Sequence, residues 1–328
     1  MDTAKITIEN VDCLIGLDKL SKNGTSIDLT FTSPPYFNVK DYSTWKTYEE
    51  YIDFISKVFT SILSITKEGR LCCINVSNIL VPRSSRSSES QRIPLAFHIV
   101  SLMEKIGWKF LEDIVWVKPS GAAKNRNGGF FQHRQPVAYK PNVINEYIFV
   151  FQKPSKFLID KIVRDYSIER SFQSKIVDDK YEKTNIWEIN PETKVKHPAP
   201  FPLKLAENII RYYSYIDDTI LDPFVGSGTT VVMSHKLNRK FIGFEIHQKY
   251  IDIAISRIEE TIPEKLISLD FDKSQYDSEN KKTIIQKLLK QSKSYLSFIL
   301  EKYVINKNNE NSKTKYAELI HKFFWENT

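Results

Sequence analysis

Cysteine is scarce in this chain: Cys13, Cys72 and Cys73 are the only three among 328 residues. Two of them are adjacent, which disfavours their pairing, and no Cys-X-X-Cys spacing occurs. Neither a disulfide framework nor a thiolate zinc site is indicated. His98, His133, His235 and His321 have no partners at metal-ligand spacing, so no metal site is expected. Glycine is sparse too, ten in all, so a cluster of glycines calls for a local reason. No apolar run approaches the roughly 18 residues of a membrane span. The opening MDTAKITIENVD lacks the basic-then-apolar order of a secretion signal. A cytoplasmic protein is expected.

What is present is enough to build a large core, since 41% of the residues are hydrophobic. The formal charge of +7 leans toward a polyanionic partner, although many soluble proteins carry such an excess of lysine. Six apolar runs read as buried parallel strands: 26–32, 69–76, 113–118, 146–153, 218–224 and 240–246. Helical periodicity lies between them. In 48–65, Tyr51, Ile52, Ile55, Val58, Phe59, Ile62 and Leu63 recur on one face. Segments 93–107 and 203–215 repeat the pattern, the first stopping at Gly107. This alternation predicts an α/β fold with a doubly wound, mostly parallel sheet.

Several stretches break the rhythm. Residues 81–92 are rich in Ser and Arg, with Arg83, Arg86 and Arg92 as a possible phosphate cluster or a solvated loop. Residues 118–140 contain Lys118, Lys124, Arg126, Arg134 and Lys140, three glycines and no acid. A loop of that length is usually functional or disordered. Its cations suit phosphates, and Asn125, Asn127 and Gln132 suit base edges. Phe130 and Phe131 either fill the gap left by a displaced base or, the favoured reading, anchor the loop. Residues 154–196 are polar with weak periodicity, and 261–328 reads as a Lys-rich helical extension.

The segment TILDPFVGSGTTVV (219–232) is a strand, a glycine turn and a helix start. Gly226 and Gly228 permit positive φ and close approach of a ligand, and the helix N-terminus offers free N–H groups. Glu245 ends the next strand, about 20 residues on, where a carboxylate can accept ribose hydroxyls. A dinucleotide site is one reading, yet Val231 stands where a third glycine is usual. Asp222 at the strand tip would repel a pyrophosphate but could accept from a cationic amino-acid group. That favours S-adenosylmethionine over NAD.

In DLTFTSPPYFNVK (28–40) the alternation of Ile27, Leu29 and Phe31 stops at TSPPY. Pro34 and Pro35 fix φ and supply no N–H, so the segment can neither extend a ladder nor open a helix. It offers acceptors, the Ser33 hydroxyl and the Pro34 carbonyl, beside the flat face of Tyr36. Such a ledge suits an exocyclic amino group, whose lone pair is otherwise delocalised into its ring. A double-proline turn with a buried tyrosine is the plain alternative.

TSPPY followed by DPFVGSGTT resembles the DNA amino-methyltransferases, in the motif order of the β class, over residues 5–258. The resemblance implies a seven-stranded, Rossmann-like sheet with a catalytic half (1–153) and a cofactor half (197–260). It also implies a small target-recognition region at 154–196, leaving 261–328 as the helical extension. Ser33, Pro34, Pro35 and Tyr36 are implied to be catalytic. Asp12, Thr32, Pro200, Pro202, Asp222, Pro223, Phe224, Gly226, Ser227, Gly228, Thr229 and Glu245 are implied to bind S-adenosylmethionine. The partner implied is double-stranded DNA, with the target base flipped out, in a setting that can include a cognate restriction endonuclease.

Within the family, Ser at the first motif position usually marks cytosine N4 as the target and Asp marks adenine N6. Cytosine N4 is therefore expected, with adenine N6 as the alternative. Attack at cytosine C5 needs a cysteine nucleophile, and none stands in a Pro-Cys context. A nicotinamide-dependent oxidoreductase and a non-catalytic DNA-binding relative are the more distant readings.

Overall fold

The computed structural model describes residues 6–37, 45–81, 85, 87, 90–120, 135–139, 141–167, 170–171, 174, 181–193, 195 and 200–259. Helix and strand alternate along them: β1 (Ile6–Asn10), α1 (Cys13–Lys22), β2 (Ile27–Thr32), α2 (Tyr48–Ile65), β3 (Thr66–Val76), β4 (Ile79–Val81), β5 (Gln91–Ile93), α3 (Leu95–Ile106), β6 (Lys109–Val117), β7 (Asn145–Gln152), α4 (Ile159–Asp165), β8 (Ile186–Glu188), α5 (Leu203–Tyr213), β9 (Thr219–Asp222), α6 (Thr229–Lys236), β10 (Lys240–Glu245) and α7 (Gln248–Glu259). These elements, all but the last residue of α7, belong to one compact unit, Asp2–Ile258.

Eight strands form the main sheet in the order β1-β10-β9-β2-β3-β7-β6-β8. The six strands read from the sequence are all present. The implied seventh is β1, whose short ITIEN stretch at the sheet edge carries too few apolar residues to stand out. The eighth, β8, is three residues long and extends the other edge beside β6. Strand β7 departs from the parallel expectation, pairing antiparallel with both β3 and β6. A strand buried on both faces is apolar throughout whichever way it runs, so its residues carry no sign of direction.

Alternate residues of the central strands feed two cores. Cys72, Ile74 and Val76 of β3 pack with Leu17, Tyr51, Ile55 and Ile99 from α1, α2 and α3. Leu71 and Cys73 join Leu29 and Phe31 against Leu205, Ile209 and Val231 on the opposite face. Ile27, Leu29 and Phe31 are fully buried, each worth about 1.5–3 kcal/mol of transfer free energy.

Local signals set the helix ends. Thr47 caps α2 by accepting from the Glu50 amide at 3.2 Å. Gly107 ends α3 at φ 111°, where its amide bonds back to the last turn.

The register of β2 with β3 and β9, and of β10 with β1, brings the C-terminal ends of these strands to one edge of the sheet. TSPPY, the glycine turn, Glu245 and Asp12 all leave the sheet there. Among the described residues, no helix is long and apolar enough to cross a membrane.

Candidate active site

Thr32, the last residue of β2, points its hydroxyl at the carboxylate of Asp222, the last residue of β9, at 2.7 Å. The second oxygen of Asp222 accepts from Thr230 at 2.7 Å, and the first also accepts from the Phe224 amide at 3.0 Å. Burial pushes the Asp222 carboxyl up to about 6, against the three donors that favour its ionised form. Asp222 is 1% exposed. Its oxygens are engaged by three donors inside the protein, where the sequence suggests a ligand's amino group as their partner. Thr32 and Asp222 instead fasten the TSPPY ledge to the glycine turn.

Above that fastening lies a cavity of about 360 Å³, lined by Ser33 and Pro35 on one side and by Pro223, Phe224 and Gly226 on another. Asp12 and Glu245 line it too. Glu245 is held in place from both sides, one oxygen accepting from the Gly226 amide and the other from the His247 amide, each at 2.9 Å. Its remaining lone pairs are available to hydroxyl groups. Asp12 caps α1 through the Leu14 amide at 2.9 Å. Asn10 bonds the Glu245 carbonyl, tying β1 to the same corner.

The two glycines of the turn have different reasons. Gly226, at φ 51°, faces the cavity. Gly228, at φ 83°, makes room for α7: a Cβ there would lie 2.5 Å from the Ala254 Cβ. Ser227 and Thr229 are buried behind the turn, where Arg257 bonds the Ser227 carbonyl at 2.5 Å and reaches both hydroxyls. Thr32, Ser227, Gly228 and Thr229 therefore shape the cavity without lining it. Pro202 precedes α5, while Pro200 and Pro202 are likewise outside the lining. Phe201 between them packs on Phe31, ring centroids 5.1 Å apart.

Ser33 and Pro35 face the cavity, while Pro34 is buried. Tyr36 is partly buried against the core, and its phenol oxygen accepts from the Ser77 amide at 3.0 Å. Burial, then the nearby Glu146 carboxylate, push its phenol well above the usual range. The ring does not line the cavity, so any stacking surface it offers lies outside the cofactor-sized space.

Of the expected DNA-contacting cations, Lys124, Arg126, Arg134 and Lys140 lie outside the described residues, as do Arg83 and Arg86. So do Asn125, Asn127, Phe130, Phe131, Gln132 and His133, and the extension 261–328. Lys118 is described and is not a free cation: Glu146 pairs with it at 2.5 Å, and Asn75 bonds the other Glu146 oxygen at 2.8 Å. The loop that begins at Lys118 does leave the sheet at the cavity edge, because Val117 pairs with Asn145 and Val76 with Tyr147.

The region 154–196 divides. Tyr166 and Arg170 bond the buried carboxylate of Asp218, and Ser174 bonds the Ile216 amide, all at the N-terminal ends of the strands. Arg70 completes that cluster on Asp218. These described residues sit at the sheet edge opposite the cavity. Among the described residues of the region, Ile186–Glu188 pair with Val115–Val117 at the cavity edge, and the Ile189 amide bonds the Val117 carbonyl there.

The motifs give no sign of the aromatic walls. Trp45, Phe54, Phe244 and Tyr250 line the cavity, together with Cys13 and His247. The His247 Nε2 is buried with no hydrogen-bond partner. Trp45 and Phe54 lie in no recognisable motif, and a helix-facing period is the only signal Phe54 could give.

The family profile described as DNA methylase, of the N6/N4 type, matches residues 27–256. The type II methyltransferase M.MjaI of Methanocaldococcus jannaschii is 30% identical over 283 residues, covering 75% of this chain and 89% of that protein. The type II beta methyltransferase M.BslI of a Bacillus strain is 28% identical over 69% of this chain, which spans 25% of that longer protein. A candidate DNA modification methylase of Thermus thermophilus, TTHA0409, superposes with a TM-score of 0.61. It is 26% identical, covering 79% of this chain and 95% of that one. The same Thermus protein has also been solved in complex with S-adenosylmethionine.

Proposed function

The chain belongs to the N6/N4 family of DNA methylases, and on that footing we propose that it transfers a methyl group from S-adenosylmethionine to the N4 amino group of cytosine in duplex DNA. One observation carries the reading: Ser33 and Pro35 line the same cavity as Pro223, Phe224, Gly226, Asp12 and Glu245. On this reading a methyl donor and an amino-accepting ledge share one space, although their segments are far apart in the chain.

The residues fit such a cofactor. Glu245, anchored by two backbone amides, keeps acceptor capacity for ribose hydroxyls, and Gly226 lets the backbone approach. The bound group supplies an electrophilic methyl. Ser33 and the Pro34 carbonyl accept the hydrogens of the target amino group, which localises its lone pair for attack. Tyr36, pinned through Ser77, gives the flipped base a fixed flank outside the cofactor cavity.

Ser33 in place of an acid supports cytosine N4; adenine N6 is the second reading. The basic loop from Lys118, which leaves the sheet at this edge, is the proposed DNA contact. The type II relatives support a restriction–modification setting with a cognate endonuclease. The test is labelled methyl transfer to duplex DNA, then nucleoside digestion and mass analysis. N4-methylcytosine is expected, N6-methyladenine would establish the second reading, and no incorporation would overturn both.

A further inference from the structure

The two sides of the cavity differ in charge. On the side of β1 and β10 stand the carboxylates of Asp12 and Glu245. On the side of β2 and β9, the described lining residues are Ser33, Pro35, Trp45, Phe54, Pro223 and Phe224, none of them ionisable. Asp222 lies beneath that side with both oxygens engaged by Thr32 and Thr230. That side of the lining is aromatic and uncharged among the described residues.

Those rings form a continuous string between the two motifs. Phe37, next to Tyr36, lies 6.0 Å from Tyr51, and Tyr51 lies 5.1 Å edge-on from Trp45. Trp45 lies 5.2 Å from Phe54, which lies 6.1 Å from Phe224. Tyr51 is fully buried and sets the string on α2. Trp45 and Phe54 belong to neither motif, and both face the cavity.

We propose that Trp45, backed by Phe54 and Phe224, is the element that distinguishes the charged sulfonium donor from the neutral thioether product. Aromatic faces, indole above all, attract a desolvated cation more strongly than they attract a neutral thioether sulfur. On transfer the electron pair of the breaking S–CH3 bond stays on sulfur, the pair on the amino nitrogen forms the new N–C bond, and the nitrogen, now carrying the positive charge, releases one of its N–H protons to solvent water. The positive charge leaves the sulfur, and the cation–π part of the attraction at Trp45 leaves with it, which favours release of the product over the donor. The inference rests on S-adenosylmethionine as the cofactor, but not on which base receives the methyl.

The test is calorimetric titration of the full chain with S-adenosylmethionine and, separately, with S-adenosylhomocysteine. In Trp45→Leu the donor's dissociation constant rises about tenfold more than the product's. In Trp45→Phe, which keeps a π face, most of the discrimination is retained. Phe54→Leu provides the same readout should Trp45→Leu fail to fold. Equal weakening of both ligands, or no change in either, would overturn the proposal. Failure of the wild-type protein to bind S-adenosylmethionine would overturn the cofactor reading with it. Binding without methylation of DNA would leave this inference standing and sink the proposed reaction.

Discussion

Thr32 and Asp222 meet at 2.7 Å across a sequence separation of 190 residues. Their bond joins the residue before the SPPY ledge to the last residue of the strand that leads into the glycine turn, so one buried carboxylate ties the two motifs together. Thr230 and the Phe224 amide donate to the same carboxylate.

Asp222 makes stability depend on pH in an unusual direction for an acid. Burial raises its folded-state value from 3.8 to about 6, so between those values the folded protein holds a proton that the unfolded chain has lost. Its contribution to stability is full below about pH 4, falls as pH rises toward 6, and is level above. The change is about 3 kcal/mol, the order of magnitude for a carboxyl raised that far. Asp222→Asn removes this dependence, so the difference in thermal stability between wild type and variant should narrow or reverse across pH 4–6. Parallel curves over that range would exclude the carboxyl as the titrating group.

Ser33→Ala should reduce the methylation rate by on the order of 10²-fold, the scale for loss of one positioned polar contact to a reacting group. Affinity for S-adenosylmethionine should change little. A single-turnover assay beside a binding titration separates the two. A fall in affinity matching the fall in rate would show that Ser33 serves the cofactor instead of the base.

Glu245→Ala removes the acceptor shared by the Gly226 and His247 amides. The dissociation constant for S-adenosylmethionine should rise at least tenfold, since hydrogen bonds to a charged group contribute about 1.5–3 kcal/mol each. An unchanged titration would remove Glu245 from the site.

Gly228→Ala should destabilise the fold by about 2 kcal/mol or more, because the new Cβ would meet Ala254 at 2.5 Å and φ is 83°. Urea unfolding measures it. A coupled Ala254→Gly substitution should recover part of the loss, and absence of any recovery would argue against the α7 contact as its cause.

Where the chain's chemistry is local, the residues alone disclose it. Ile27, Leu29 and Phe31 announce β2, Pro34 and Pro35 end it, and Gly107 stops α3. The acid Glu245 stands out because it closes a short apolar strand. The strand direction of β7, the edge strand β8 and the position of 159–174 are not legible in the same way. Each depends on what the segment packs against, and an apolar run is satisfied by either orientation.

By itself the sequence determined which residues could do amino-group chemistry and which could hold a nucleoside, since stiffness at the prolines and freedom at Gly226 are properties of single residues. Tertiary structure alone decided their use. It turned Asp222 inward to two threonines, neutralised Lys118 against Glu146, and set Trp45 and Phe54 into the cavity wall. These outcomes are fixed by distances between segments remote in the chain, and such distances exist only once both faces of the sheet are packed.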